Sequence, residues 1–228
     1  MRTFFQKKHQ WVIAFYTLLY LIGFFLLEQR DIQEYHIIHS SIDQLIPFVE
    51  IFVIPYMLWF VFMVAAIIYF AFFNPDVKEY WQLILTLGIG MTVFLIISWL
   101  FPNMLELRPA EFERSNIFTF MISILYKIDT PTNVFPSIHV FNSIAIGIAI
   151  VRCKALKKHN VVRIGSLVLS ILIVLSTMFI KQHSVYDVTF GILMYICLYK
   201  FLYSTYTWKE WHYLRQLKRQ KIASEMDK

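Results

Sequence analysis

Two short polar motifs interrupt the apolar runs of this chain. Phe135-Pro136-Ser137-Ile138-His139 opens one run, and His183-Ser184-Val185-Tyr186-Asp187 separates the last two. Ionisable side chains are costly at membrane depth, so histidines and an aspartate placed there mark a functional site. Two imidazoles and one carboxylate are enough for a nucleophile, a general acid and an orienting group. His183 and Asp187 are four residues apart, which puts them on one face of a helix. A carboxylate that accepts the Nδ1 proton leaves Nε2 free as base or nucleophile. Pro136 suits a first helical turn, and the unpaired N–H groups of such a terminus beside Ser137 and His139 form a phosphate site. Arg108-Pro109 adds a guanidinium able to neutralise and orient a phosphoryl group. The plainer alternatives are that Ser137 only caps its own helix, that His139 bonds locally, and that His183 and Asp187 make an ordinary helix-end contact.

The elements that must position these residues are apolar. The chain has 228 residues, 58% of them hydrophobic, and a mean hydropathy of +0.59, which excludes an ordinary soluble domain. Several windows reach the ~20 apolar residues that cross a ~30 Å hydrocarbon core. Six spans are expected, at about 10–28, 47–73, 81–101, 137–153, 161–181 and 185–206. Without the alternation of barrel strands, they read as helices. The fold expected is therefore an all-α, polytopic six-helix bundle forming one membrane domain over 1–228, with a catalytic core at 47–206 and a basic tail at 207–228. Between the third and fourth spans, Ile117, Phe120, Met121, Ile124 and Leu125 recur at helical spacing, extended by Phe112 and Ile128. That stripe suits an amphipathic helix in the outer headgroup layer or a plain packing element. Pro55 is expected to interrupt its helix, and Gly88 and Gly90 to serve close packing. Glu50 either approaches the site or reaches to the interface, and His36, His39 and Asp43 lie in a polar loop.

A net charge of +6 suggests nucleic acid until its distribution is considered. With loops on alternate sides, sixteen of the 21 basic residues fall on the side of both termini and five on the other, namely Arg30, Arg108, Arg114, Lys127 and Lys181. This positive-inside bias places both termini in the cytoplasm and both histidine motifs outside, in a multi-pass protein of the cell membrane. The basic residues are then lipid-facing, and a nucleic-acid partner is not expected. The first run ends in Glu28-Gln29-Arg30 without a small-residue cleavage pattern, so an uncleaved helix is expected rather than a signal peptide. Cys153 and Cys197 lack metal-type spacing, which argues against a disulfide or zinc site.

Arg-Pro at 108–109, Pro-Ser-x-His at 136–139 and His-x-x-x-Asp at 183–187, in that order and on one expected side, resemble the type 2 phosphatidic acid phosphatase superfamily of lipid phosphatases and phosphotransferases. The resemblance covers about residues 47–206. It implies His183 as the nucleophile that becomes a phosphohistidine, His139 as general acid, and Asp187 as the partner of His183. Arg108 and Ser137 would bind phosphate. Two departures stand out: Phe101 occupies the place of the family's usual lysine, and Ser176-Thr177 that of its Ser-Arg. Lys181 is the cation near enough in sequence to substitute. The reduced pattern is similar to the inositol phosphorylceramide synthase-like branch, some of whose members transfer a phospho-headgroup to an alcohol. The function expected is metal-independent, cofactor-free hydrolysis of an extracytoplasmic lipid phosphate or diphosphate. The alternatives are a phosphotransferase and a non-catalytic membrane transporter or binding protein.

Overall fold

The computed structural model describes residues 10–204. The expected interfacial tail at 207–228, and the terminal basic residues counted for sidedness, lie outside the described residues. Within them the protein is all-helical, with seven α-helices: α1 Gln10–Glu28, α2 Val53–Ile68, α3 Val77–Leu100, α4 Ile117–Ile128, α5 Ile138–Arg152, α6 Asn160–Phe179 and α7 Val185–Tyr199. A 3-10 turn, Glu50–Phe52, leads into α2, and π-helical turns at Tyr69–Phe73 and Lys200–Ser204 extend α2 and α7. A two-residue parallel pairing, β1 His36–Ile37 with β2 Asn103–Met104, ties together the loops after α1 and α3.

Five helical runs are long and apolar enough to cross a membrane: Gln10–Glu28, Glu50–Phe73, Val77–Leu100, Asn160–Phe179 and Val185–Tyr203. The remaining expected span, at 137–153, is α5, whose fifteen residues extend only about 22 Å at the α-helical rise. The reason lies in its position. α5 is packed by α2, α3, α6 and α7 and buries Val140, Phe141, Asn142, Ser143, Ala145 and Ile146 in succession. A helix wrapped in protein need not match the ~30 Å thickness of the hydrocarbon. Small residues permit its close contacts. A Cβ on Gly147 would sit 2.4 Å from Ser170 Oγ, and one on Gly90 would sit 2.1 Å from the Phe141 ring.

Local signals set the helix ends. The Asp76 carboxylate accepts from the N–H groups of Lys78 and Glu79, so α3 begins four residues ahead of the apolar run that marks it. Asn116 caps α4 by accepting from Phe118 and Thr119, a standard use of a short polar side chain at a helix start. Pro55 sits in the first turn of α2, where its missing N–H costs little. The expected interruption does not break the helix: α2 runs continuously through Pro55 from Val53 to Ile68. The stripe on α4 divides. Met121 and Leu125 pack with Val53, Tyr56, Ile122 and Ile180, while Ile117, Phe120, Ile124 and Ile128 are exposed.

Candidate functional site

The two histidine motifs converge because α5 and α7 start side by side. The Ser137 N–H donates to the Asp187 carbonyl at 3.1 Å, and a Cβ on Gly191 would lie 2.8 Å from the Ser137 carbonyl oxygen. Each helix has its own cap. The Ser137 hydroxyl accepts from Val140 N–H at 3.4 Å, and Ser184 heads a capping box in which Asp187 Oδ2 accepts from Ser184 N–H at 2.8 Å. Asp43 reinforces the second start. Its Oδ1 accepts from Val185 N–H at 2.8 Å, and its Oδ2 from the Ser184 hydroxyl at 2.7 Å and Ser40 N–H at 2.7 Å. The polar loop that held no evident role in the sequence therefore anchors α7.

This frame sets His139 Nδ1 3.2 Å from His183 Nε2. Asp187 Oδ2 lies 3.4 Å from His183 Nδ1 without hydrogen-bond geometry, and Nδ1 has no other partner. His183 is only 6% exposed and Asp187 is fully buried. On the far side of His139, Nε2 lies 3.1 Å from the Tyr56 hydroxyl, which donates to Asp129 Oδ2. Gln182 Nε2 also donates to Asp129 Oδ2, at 3.2 Å. The Trp59 and Tyr56 rings flank the His139 ring at centroid distances of 4.3 and 4.8 Å.

The expected cations are placed differently. Arg108 donates to the carbonyls of Tyr126 and Asp129 and to Gln182 Oε1, with its guanidinium 4.4 Å over the Tyr126 ring. Its Nε is buried without a partner. Burial pulls the Arg108 pKa below its ordinary value, and the neighbouring Asp129 opposes that fall. Lys181 turns away from the histidines and donates to the carbonyls of Asp43 and Ile46. Burial lowers its pKa, while Asp43 acts in the opposite sense. Ser137 is fully buried, with its hydroxyl engaged in capping. The structure thus brings together His139, His183, Asp187 and Ser137. It sets Arg108 behind Gln182 and Asp129, and leaves Lys181 outside the cluster. Phe101 stacks on His36 at 4.5 Å. Thr177 is buried and donates its hydroxyl to the Val174 carbonyl. Glu50 accepts from Asn116 Nδ2 at 3.2 Å, away from the histidines.

Tyr56, Trp59, Asp129 and Gln182 escaped the sequence reading. Gln182 adjoins His183 and was within reach of it; Tyr56 and Trp59 were hidden in an apolar run rich in aromatics.

The histidine pair lies in the wall of a cavity of about 1430 Å³. Its apolar walls come from Val12 to Phe24 of α1, Tyr56 to Ile67 of α2 and Trp81 to Phe94 of α3, while Glu28, Asp129, His139 and His183 line its polar end. Comparison with protein-family models, curated proteins and solved structures finds no match.

Proposed function

We infer that the protein is a six-span membrane phosphatase acting on an amphiphile with a phosphate or diphosphate head. The carrying observation is the His139–His183 pair, with His139 half-buried and His183 buried, at the polar end of an otherwise apolar cavity. Trp81 to Phe94 along α3 is thirteen steps, about 20 Å at 1.5 Å per residue, which suits a hydrocarbon tail. In this reading α5 counts as the sixth span, α4 lies in the outer headgroup layer, both termini are cytoplasmic and the site faces outward. The grouping of His139, His183, Asp187 and Ser137 supports assignment to the phosphatidic acid phosphatase type 2 pattern. Of the expected phosphate-binding set, Ser137 lies in it and Arg108 adjoins it, while Lys181 is engaged by the Asp43 and Ile46 carbonyls.

In the first step His183 Nε2 attacks phosphorus, the P–O bond to the lipid breaks, and the leaving oxygen takes a proton from His139. In the second, water attacks the phosphohistidine, His139 removes a proton from it, and phosphate departs with His183 restored. Nitrogens 3.2 Å apart leave no room for a phosphoryl group between them, so substrate binding must part the rings. Apo geometries commonly tighten or rearrange in this way. Arg108 has an unpartnered Nε but stands behind Gln182 and Asp129, so its contact with a phosphate oxygen requires those two side chains to move aside. The substituted positions Phe101 and Thr177 offer no cation, which predicts weaker phosphate binding than in relatives with the full motif.

The burial of His183 favours a second reading, in which a lipid-borne alcohol replaces water in the second step. The test is to supply labelled lipid phosphates, with and without candidate alcohols, to purified protein. Inorganic phosphate as the main product is expected. Label moving chiefly into a new phospholipid makes the protein a transferase, and label remaining on every donor removes the enzymatic reading. In an active protein, His183→Ala should reduce turnover by a factor of roughly a thousand or more, and near-normal rates overturn its assignment as nucleophile.

A further inference from the structure

The histidine pair is held between two carboxylates rather than one, and only Asp187 belongs to the motifs. Counting protons along the line Asp129–Tyr56–His139–His183–Asp187 shows what the second carboxylate does. The Tyr56 hydroxyl has one proton and gives it to Asp129, leaving its oxygen as the acceptor for His139. His139 Nε2, 3.1 Å away, must then carry a proton. At the other end, His183 Nδ1 faces only the Asp187 carboxylate. A bare lone pair 3.4 Å from a carboxylate is repelled and an N–H there is attracted, so the contact favours a proton on Nδ1 as well. Between the rings, His139 Nδ1 and His183 Nε2 stand 3.2 Å apart, and one of them must hold a proton for the contact to be a hydrogen bond. Two neutral imidazoles carry two protons between them, and this line requires three.

The pair is therefore built to share one extra proton, with a negative charge beyond each ring. Its position decides the chemistry. On His139 it gives a cationic acid beside a neutral His183 whose Nε2 keeps its lone pair, accepting from His139 until the rings part; on His183 it removes that lone pair. We propose that Asp129, acting through Tyr56, is a positioning residue that keeps the proton on His139. It does for the acid what Asp187 does for the nucleophile. The Trp59 ring, 4.3 Å from the His139 ring, adds favourable aromatic surface for a cation. Gln182 donates to Asp129 while its carbonyl end accepts from Arg108, so Asp129 is fixed in place and has a guanidinium nearby. The charged and titratable groups facing the pair are thus Tyr56 from α2, Asp129 and Arg108 from the loops flanking α4, and Asp187 from α7.

The protonation claim stands on this geometry alone; its consequence for turnover rests on the phosphohistidine reading. Two measurements on the full-length protein keep these apart. The first is a pH titration of ¹⁵N-histidine-labelled protein in detergent by NMR, with His139 assigned through His139→Gln. In both Asp129→Asn and Tyr56→Phe, the midpoint for double protonation of His139 should fall by about one pH unit or more, as loss of a nearby opposite charge or its relay produces. A midpoint unmoved in either folded variant overturns the proposal, as does a wild-type His139 that stays neutral throughout. Tyr56→Phe keeps the ring and removes only the hydroxyl, so it decides the matter where Asp129→Asn does not fold.

The second measurement compares an alkyl with a p-nitrophenyl phosphate ester. An alkoxide needs a proton to leave and p-nitrophenolate does not, so both variants should lose about ten- to a hundredfold in kcat on the alkyl ester and less than about threefold on the aryl ester. Equal losses on both overturn the positioning role. Wild-type protein silent on every phosphate overturns the proposed function instead, and the NMR result then decides the proton assignment by itself.

Discussion

Asp187 serves two ends with one oxygen: Oδ2 accepts from Ser184 N–H at 2.8 Å and lies 3.4 Å from His183 Nδ1. Asp43, by contrast, touches neither histidine and holds α7 from outside. The two aspartates should therefore separate in experiment. Asp187→Asn should depress turnover strongly at modest cost in stability, because the amide still offers an oxygen to the cap. Asp43→Ala leaves the donors of Ser40, Ser184 and Val185 without their acceptor and should lower stability by about 2–4 kcal/mol. Thermal unfolding of purified protein, read beside phosphate release, distinguishes them; equal loss of stability in both removes the division of labour. At this scale the sequence was partly legible. The pairing of His183 with Asp187 followed from their spacing, and the grouping of His139 with His183 from their shared expected side and the motif resemblance. Ser-x-x-Asp at 184–187 was also a readable capping box. Tyr56 was not readable, because one tyrosine in an apolar aromatic run has no pattern of its own until α2 is placed against α5.

The spans were legible as elements because apolar length reports burial in lipid or protein alike, and α1 ends at Glu28 where its run does. That equivalence also hid the difference at α5, whose neighbours are protein rather than lipid and which is accordingly short. The ends of α3 and α4 depended on Asp76 and Asn116, single polar residues that apolar periodicity does not register. The division of the α4 stripe reflects the packing of α2 and Ile180 beneath it, a tertiary fact. The approach of α5 to α7 yields a prediction at this scale. Gly191→Ala forces a methyl against the Ser137 carbonyl, 2.8 Å away, so the two helix starts must separate. A loss of about 1–3 kcal/mol is expected, as in other overpacked sites, with a fall in turnover as the histidines move apart. Gly165→Ala, with open space at its Cβ, should be neutral or up to about 1 kcal/mol stabilising. Calorimetry of the two variants checks both expectations, and a Gly191→Ala protein as stable and active as wild type shows that the contact yields freely.

For the whole molecule, the orientation proposed above is testable with exposed positions on opposite sides. In a background with Cys153 and Cys197 replaced by serine, Ser115→Cys should react with a membrane-impermeant maleimide on intact cells and Lys158→Cys should not. Both positions are solvent-exposed, and the reverse pattern inverts the topology. The arrangement of α1 has a wider consequence. It packs mainly on α3, only 11% of its span is buried, and it forms one wall of the cavity that ends at the histidines. In the proposed function, a lipid tail would reach that cavity sideways from the surrounding leaflet without crossing bulk water. The quantity that governs occupancy is then the number of substrate molecules per unit of membrane area, not their number per litre. Diluting a fixed amount of lipid phosphate with inert detergent at constant volume should slow turnover in proportion to its falling mole fraction. Adding buffer to the same mixed micelles should leave the rate per enzyme unchanged. On that reading the apparent affinity is a property of the two-dimensional phase around the protein, and a change in membrane composition would alter it without any ligand binding to the chain.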